Sequence, residues 1–176
     1  MDIEKMLKAQ GELDQRIYER HGLDPADLFK KKLIALLVEL GEMANEARFF
    51  KYWSDDQDPR QDLLEEYADG VHFFLSLGRL KGWGRSLVQP GTVKRSEPRE
   101  VEDVFLEIIV LLAAVKIGPV DDTTFNGMSR DEMAYHLAWT NFLDLGTRYF
   151  HFSEQEIQDA YFVKNETNLQ RQDSGY

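Results

Sequence analysis

The chain has no cysteine. That excludes disulfides, thiolate catalysis and sulfur-ligated zinc, and it agrees with a reducing compartment. A hydrophobic leader is also missing. The opening MDIEKMLKAQ mixes charged and apolar residues, so export is not indicated and a cytoplasmic protein is expected. Long apolar runs are absent. The nearest, Val104 to Val115, is interrupted by Glu107 and has about half the ~20 residues of a spanning helix, so it predicts a buried helix and no membrane. Positive charge is scarce: 21 Lys and Arg face 32 Asp and Glu, for a net charge of −11. Such a surface repels duplex nucleic acid, and no basic stripe reverses this, so stable nucleic-acid binding is not expected. A protein this acidic that handles an anionic ligand must bring in cations or concentrate its few basic side chains.

No segment alternates apolar and polar residues between hairpin turns, so strands are not expected either. Helix signals recur instead. Asp24-Pro25 reads as an N-cap and first-turn proline, followed by Leu28, Leu33, Leu36, Leu37 and Leu40. Asp58-Pro59 repeats the signal before a segment running to about Leu77 and closed by Gly78. Ser129 with Glu132, and Ser153 with Glu156, have capping-box spacing. Gly118-Pro119 reads as a stop after a helix beginning near Glu100. With 176 residues and an ordinary apolar fraction of 43%, the chain predicts one all-α domain of five or six helices over residues 1–176. Catalytic helices fall at about 24–78, a loop at about 86–98, a second helical half at about 100–163 and a C-terminal motif at 161–176.

The chemistry concentrates on the first pair of helices. In LLVELGEMANE, Glu39 and Glu42 are three apart and share a helix face; in LLEEYADGVHF, Glu66 and Asp69 do the same. A short connection makes the two helices antiparallel neighbours, which brings four carboxylates to one point. Four free anions cannot share an apolar groove without some protonating. Hard divalent cations remove the difficulty, and magnesium takes oxygen ligands while keeping positions for water and phosphate. One acidic pair alone would be an ordinary amphipathic face. Two pairs, with Glu39 among Leu36, Leu37, Val38 and Leu40, are not. Glu46 and Glu65 lie within about 40° of the same faces and rank as outer candidates.

This double acid pattern resembles the metal box of the all-α nucleoside triphosphate pyrophosphatases that include the MazG-like proteins. Three more segments narrow the resemblance to the dimeric all-α dUTPase family: Gln10 in AQGELDQRI, Lys51-Tyr52-Trp53, and the closing YFVKNETNLQRQDSGY with Lys164, Asn168, Arg171 and Tyr176. The resemblance runs from about residue 10 to the last residue. One position departs from it, because relatives often carry asparagine where this chain has Asp14, and an ionised carboxylate can only accept hydrogen bonds.

The resemblance implies a homodimer that hydrolyses dUTP to dUMP and pyrophosphate. It implies magnesium, more than one ion per site, held by Glu39, Glu42, Glu66 and Asp69, with manganese able to substitute. Glu39 would be the general base. Gln10 would read uracil, Trp53 border the base, and Phe73 crowd the sugar C2′. Lys51, Lys164, Asn168, Arg171 and Tyr176 would complete the substrate contacts, with the last of these on a segment that closes over the phosphates. His72 stays open between a phosphate or ligand contact and a core histidine. Trp83 and Trp139 carry no motif and read as core or interface. The alternatives are a pyrophosphatase for dCTP or a modified nucleotide, a nucleotide-responsive regulatory protein with a protein partner if phage-borne, and a helical bundle with a coincidental acid patch.

Overall fold

A computed structural model describes residues 1–88, 99–115, 124–125 and 127–174. The described residues contain α1 (Ile3–His21), α2 (Phe29–Ala47), α3 (Leu63–Leu80), α4 (Gly84–Val88), α5 (Val101–Ala114), α6 (Arg130–Asp144) and α7 (Glu154–Ser174). The expected all-α class is what the chain adopts, with one addition: a short antiparallel ladder pairs β1 (Thr124–Phe125) with β2 (Met128–Ser129). Two residues per strand are too few to show as alternation. The chain divides into two compact units, residues 1–84 with 152–176, and residues 85–151.

In the first unit α3 packs against α1, α2 and α7. Its buried face is nearly continuous: Tyr67, Val71, Phe74, Leu75 and Leu77 are all fully enclosed. Three named pairs fix α2 and α3 as antiparallel. The Arg60 amide donates to the Glu46 carbonyl, Lys32 bonds Ser76, and the Lys81 ammonium lies 4.7 Å from the centre of the Phe29 ring. Position numbers thus fall along one helix as they rise along the other. α7 seals the unit by burying Ile157, Tyr161 and Asn165 and by packing on α1 and α3. Contacts between the first and last helices run along their length, including Asp2 N–H to Gln158, Arg16 to Asp173 and His21 to Gln172.

Several helix boundaries differ from the expected ones. Asp24 does cap, but it opens a 3-10 turn at Pro25–Asp27, and α2 starts only at Phe29. Asp58-Pro59 lies in the connection; α3 begins at Leu63 after Asp62. Gly78 does not end α3, because it is buried within the helix, and the chain turns instead at Gly82, whose φ of +75° favours glycine. Ser153 and Glu156 form a complete capping box, the Glu156 amide reaching Ser153 Oγ at 3.2 Å and the Ser153 amide reaching Glu156 at 2.8 Å. At Ser129 only half forms: its hydroxyl accepts from the Glu132 amide, while the Glu132 carboxylate takes the Ser86 hydroxyl.

In the second unit α5 packs on α6. Glu107, the interruption in the apolar run, accepts from Arg99 at 2.6 Å and from buried Asn141 at 2.8 Å. α5 buries Val104, Ile108 and Leu112, but Leu106 and Val110 stay exposed, so the run is two-faced and not wholly enclosed. Trp139 is buried here and its indole donates to the Leu87 carbonyl, while Trp83 is buried in the first unit. The expected loop at 86–98 and the Gly118-Pro119 stop fall mostly or wholly outside the described residues.

Candidate active site

The antiparallel pairing of α2 and α3 places the acid pairs opposite each other. One carboxylate oxygen from each of Glu39, Glu42 and Glu66 lies within 4.8 Å of the others. Asp69 is engaged differently: its Oδ2 lies 2.7 Å from the Lys164 ammonium, which also bonds Glu65 at 2.8 Å. Three acids therefore form the compact group, and the fourth is paired through a lysine from α7 with Glu65.

Electrostatics in this cluster follow from its partial burial. Desolvation, then the charges of Asp69, Glu42 and Glu66, push Glu39 up to about 7. Burial likewise raises Glu66, with Asp69 and Glu42 adding to it. Asp69 is raised by burial even though Lys164 opposes the shift. Glu65 goes the other way because the Lys164 hydrogen bond stabilises its anion. Burial pulls the Lys164 ammonium down, but the hydrogen bonds and charges of Asp69 and Glu65 outweigh it and hold it above the ordinary lysine value. A cluster of anions held partly protonated is a cluster short of cations.

Beside the acids opens a cavity of about 390 Å³. α3 lines it with Asp69, His72, Phe73 and Ser76; α1 supplies Gln10 and Asp14, α2 supplies Lys32, and α7 supplies Asn168. Gln10 is buried and donates to Asp14 at 3.2 Å, while its carbonyl oxygen faces His72 Nδ1 at 2.8 Å and accepts the Tyr161 hydroxyl at 3.1 Å. His72 stacks on Tyr161 with ring centroids 4.1 Å apart, and burial pushes it down to about 4. Its partners are Gln10 and the Tyr161 carbonyl, which makes it a residue that positions Gln10 and not a phosphate contact.

Other expected contacts sit elsewhere. Lys51 donates to the Asn45 carbonyl at 3.1 Å, and Trp53 is 64% exposed, edge-on to Phe50 and Tyr52. Neither lines the cavity of the single chain. Arg171 is exposed near Asn168, where its charge acts on Asp69 and Glu65. Tyr176 lies outside the described residues. The closing C-terminal segment takes the form of regular helix through Ser174, packed through buried Tyr161 and Asn165. A truncation after Val163 would therefore cut into a supporting helix, and it is expected to lower Tm.

Lys32, Ser76 and Tyr161 were not singled out by sequence reasoning. A signal was present. Lys32 precedes Glu39 by two helical turns and Ser76 follows Asp69 by two, so each shares its acid's face. The Lys30-Lys31-Lys32 run hid this by reading as a solvated surface.

No helix among the described residues is long and apolar enough to cross a membrane. No curated protein matches the chain. The model of the dUTPase family matches residues 2–176, nearly the whole length and every segment that builds the cavity and its acids, and the chain belongs to that family.

Proposed function

We propose that this dUTP diphosphatase cleaves dUTP to dUMP and pyrophosphate with magnesium held by Glu39, Glu42, Glu66 and Asp69. The observation that carries the metal assignment is the oxygen-only group of Glu39, Glu42 and Glu66, within 4.8 Å of one another and partly desolvated. Hard, small, divalent cations suit that donor set, manganese as well as magnesium, and four acids leave room for more than one ion. When bound, such a cation neutralises phosphate charge and lowers the pKa of a coordinated water.

The chain's own residues supply the rest. Glu39 takes the proton of the attacking water, a role that suits a carboxylate raised to about 7. Lys164 and Arg171 draw the phosphate oxygens toward α7, and Arg171 offers a fork for bidentate binding. Asn168 lines the cavity between them and the sugar. Phe73, one turn beyond Asp69, faces the sugar and leaves a ribose hydroxyl crowded and unpaired. Gln10, held by His72 and Tyr161, meets the base. The exposed Ile34, Val38, Tyr52 and Trp53 in the first unit, and Leu106 and Val110 in the second, support assembly as a homodimer. In that reading Trp53 and Lys51 serve the dimer surface.

The test is turnover of each deoxynucleoside triphosphate and UTP with magnesium, then with EDTA, alongside melting curves at pH 5 and pH 8. Conversion of dUTP alone, lost in EDTA, is expected. Magnesium-dependent cleavage of another nucleotide would keep the metal assignment and overturn the base assignment. For melting, the raised carboxylates Glu39, Glu66 and Asp69 contribute stability that is full below the ordinary carboxylate range and lost as pH climbs through their raised values, about 7 for Glu39. His72, depressed to about 4, runs the opposite way between about 6.5 and 4. It does so with or without metal, so the magnesium-induced rise in Tm isolates the acids. That rise should be a few °C larger at pH 8, where no protons need displacing, than at pH 5. An equal rise at both pH values would mean that magnesium binds away from these acids.

A further inference from the structure

One basic side chain at the acid cluster is held twice. The Lys164 ammonium lies 2.7 Å from Asp69 Oδ2 and 2.8 Å from Glu65 Oε1. Asp69 belongs to the proposed metal set and Glu65 does not, so the two bonds have different fates once the site fills. Helix geometry explains how one ammonium reaches both. Glu65 and Asp69 are four apart on α3, which stacks them on one face with Cβ atoms roughly 5–6 Å apart. Lys164 comes from α7, where buried Tyr161 and Asn165 on either side of it fix the backbone.

The surroundings of the three side chains differ. Asp69 and Lys164 are each 15% exposed, whereas Glu65 is 62% exposed. A largely enclosed ammonium depends on its partners, because losing the last of them leaves an uncompensated charge away from water. Glu65 has the opposite standing. Its bond to Lys164 is its one hydrogen bond among the described residues, and an ion pair to so exposed a carboxylate adds little to folding. Stability is thus a weak reason for the contact, and its place beside Asp69 suggests another.

We infer that Glu65 is a positioning residue that keeps Lys164 at the rim of the acid cluster when Asp69 turns to a divalent cation. The inference rests on the metal assignment proposed above. Without Glu65, freeing Asp69 would strip the ammonium of its last acid partner, so Lys164 would stay on Asp69 and oppose the cation. With Glu65 the ammonium gives up one bond and keeps the other. It remains beside α3, where the proposed function has it meet the phosphates. Lys164 changes partners without leaving, and Glu65 is the partner it keeps.

The experiment measures the magnesium affinity of the nucleotide-free protein by titration calorimetry at physiological ionic strength. It compares the wild type, Glu65→Gln, Lys164→Met and the double variant, with melting curves to check folding. For Glu65→Gln the affinity should fall by roughly fivefold, the scale of one part-exposed ion pair. Removing a negative charge near a cation would also weaken binding, with or without the lysine. The Lys164→Met background separates the two causes. There Glu65→Gln should cost less than about twofold, which is what salt screening leaves of an exposed charge. Such non-additivity marks an acid that acts through the lysine.

Steady-state kinetics with dUTP give a second readout, in which Glu65→Gln should raise KM more than it lowers kcat. An equal loss of magnesium affinity in both backgrounds, or none in either, overturns the inference. A fall in kcat with KM unmoved overturns it as well, by placing Glu65 in the chemical step. A wild type that binds no magnesium overturns the metal assignment beneath it, a different failure visible before any variant is made.

Discussion

Glu39→Gln is expected to lower kcat by at least about 10³-fold while leaving the fold intact. Two losses coincide at this position. The amide cannot take a proton from water, and it brings no negative charge to the cation proposed to lie between Glu39, Glu42 and Glu66, whose oxygens are within 4.8 Å of one another. The fold should tolerate the change because Glu39 is half-buried among like charges that raise it to about 7. Removing one of them relieves repulsion in the metal-free protein, so its Tm at pH 8 should hold or rise. Single-turnover kinetics with saturating magnesium separate the two losses, since added metal would compensate a binding defect but not a missing base. Turnover that persists near the wild-type rate would remove Glu39 from the base role and shift attention to Glu42 or Glu66.

Lys164→Met should move metal binding and turnover in opposite directions. In the structure the Lys164 ammonium sits 2.7 Å from Asp69 and 2.8 Å from Glu65, where it is a cation already in place. In the proposed assignment magnesium would have to share Asp69 with it. The variant should therefore bind magnesium more tightly in the absence of nucleotide, as titration calorimetry would read. With dUTP present the balance reverses. If the phosphates draw on that positive charge as proposed, its loss should cost on the order of 10²-fold in kcat, the usual scale for one preorganised electrostatic partner. Tighter magnesium with unchanged kcat would make Lys164 a latch on the resting acids. Weaker magnesium would mean that Lys164 organises the acids and does not compete for them.

How far the site could be read from the sequence depended on what set each position. Glu39, Glu42, Glu66 and Asp69 were legible because helical periodicity fixes which residues share a face, and a short connection fixes which faces meet. The all-α class followed from the same periodicity. Helix ends were less legible. Asp24-Pro25 and Asp58-Pro59 are alike locally, yet one caps a 3-10 turn and the other lies in the connection, because the packing of α2 on α3 sets where each helix begins. Lys32 was illegible for a related reason. Its partners are Asp14 and Ser76, 18 and 44 positions away, so nothing in its neighbourhood distinguishes it from Lys30 and Lys31. His72 stayed open until Tyr161 arrived from α7 to bond and stack on it. The aromatic segment at Lys51 to Trp53 shows the converse. Its residues were expected at the substrate, but its position outside the cavity of the single chain is a tertiary fact.

The last helix has a consequence for how such an enzyme comes into being. The acids of α2 and α3 can meet as soon as that hairpin forms, but Lys164 joins Glu65 across 99 positions, and His72 finds the Tyr161 carbonyl across 89. A nascent chain emerging from the ribosome therefore carries its acids long before it carries the lysine that pairs with them or the tyrosine that steadies Gln10. With the acids as the proposed metal ligands, refolding from denaturant should show magnesium affinity returning before activity does.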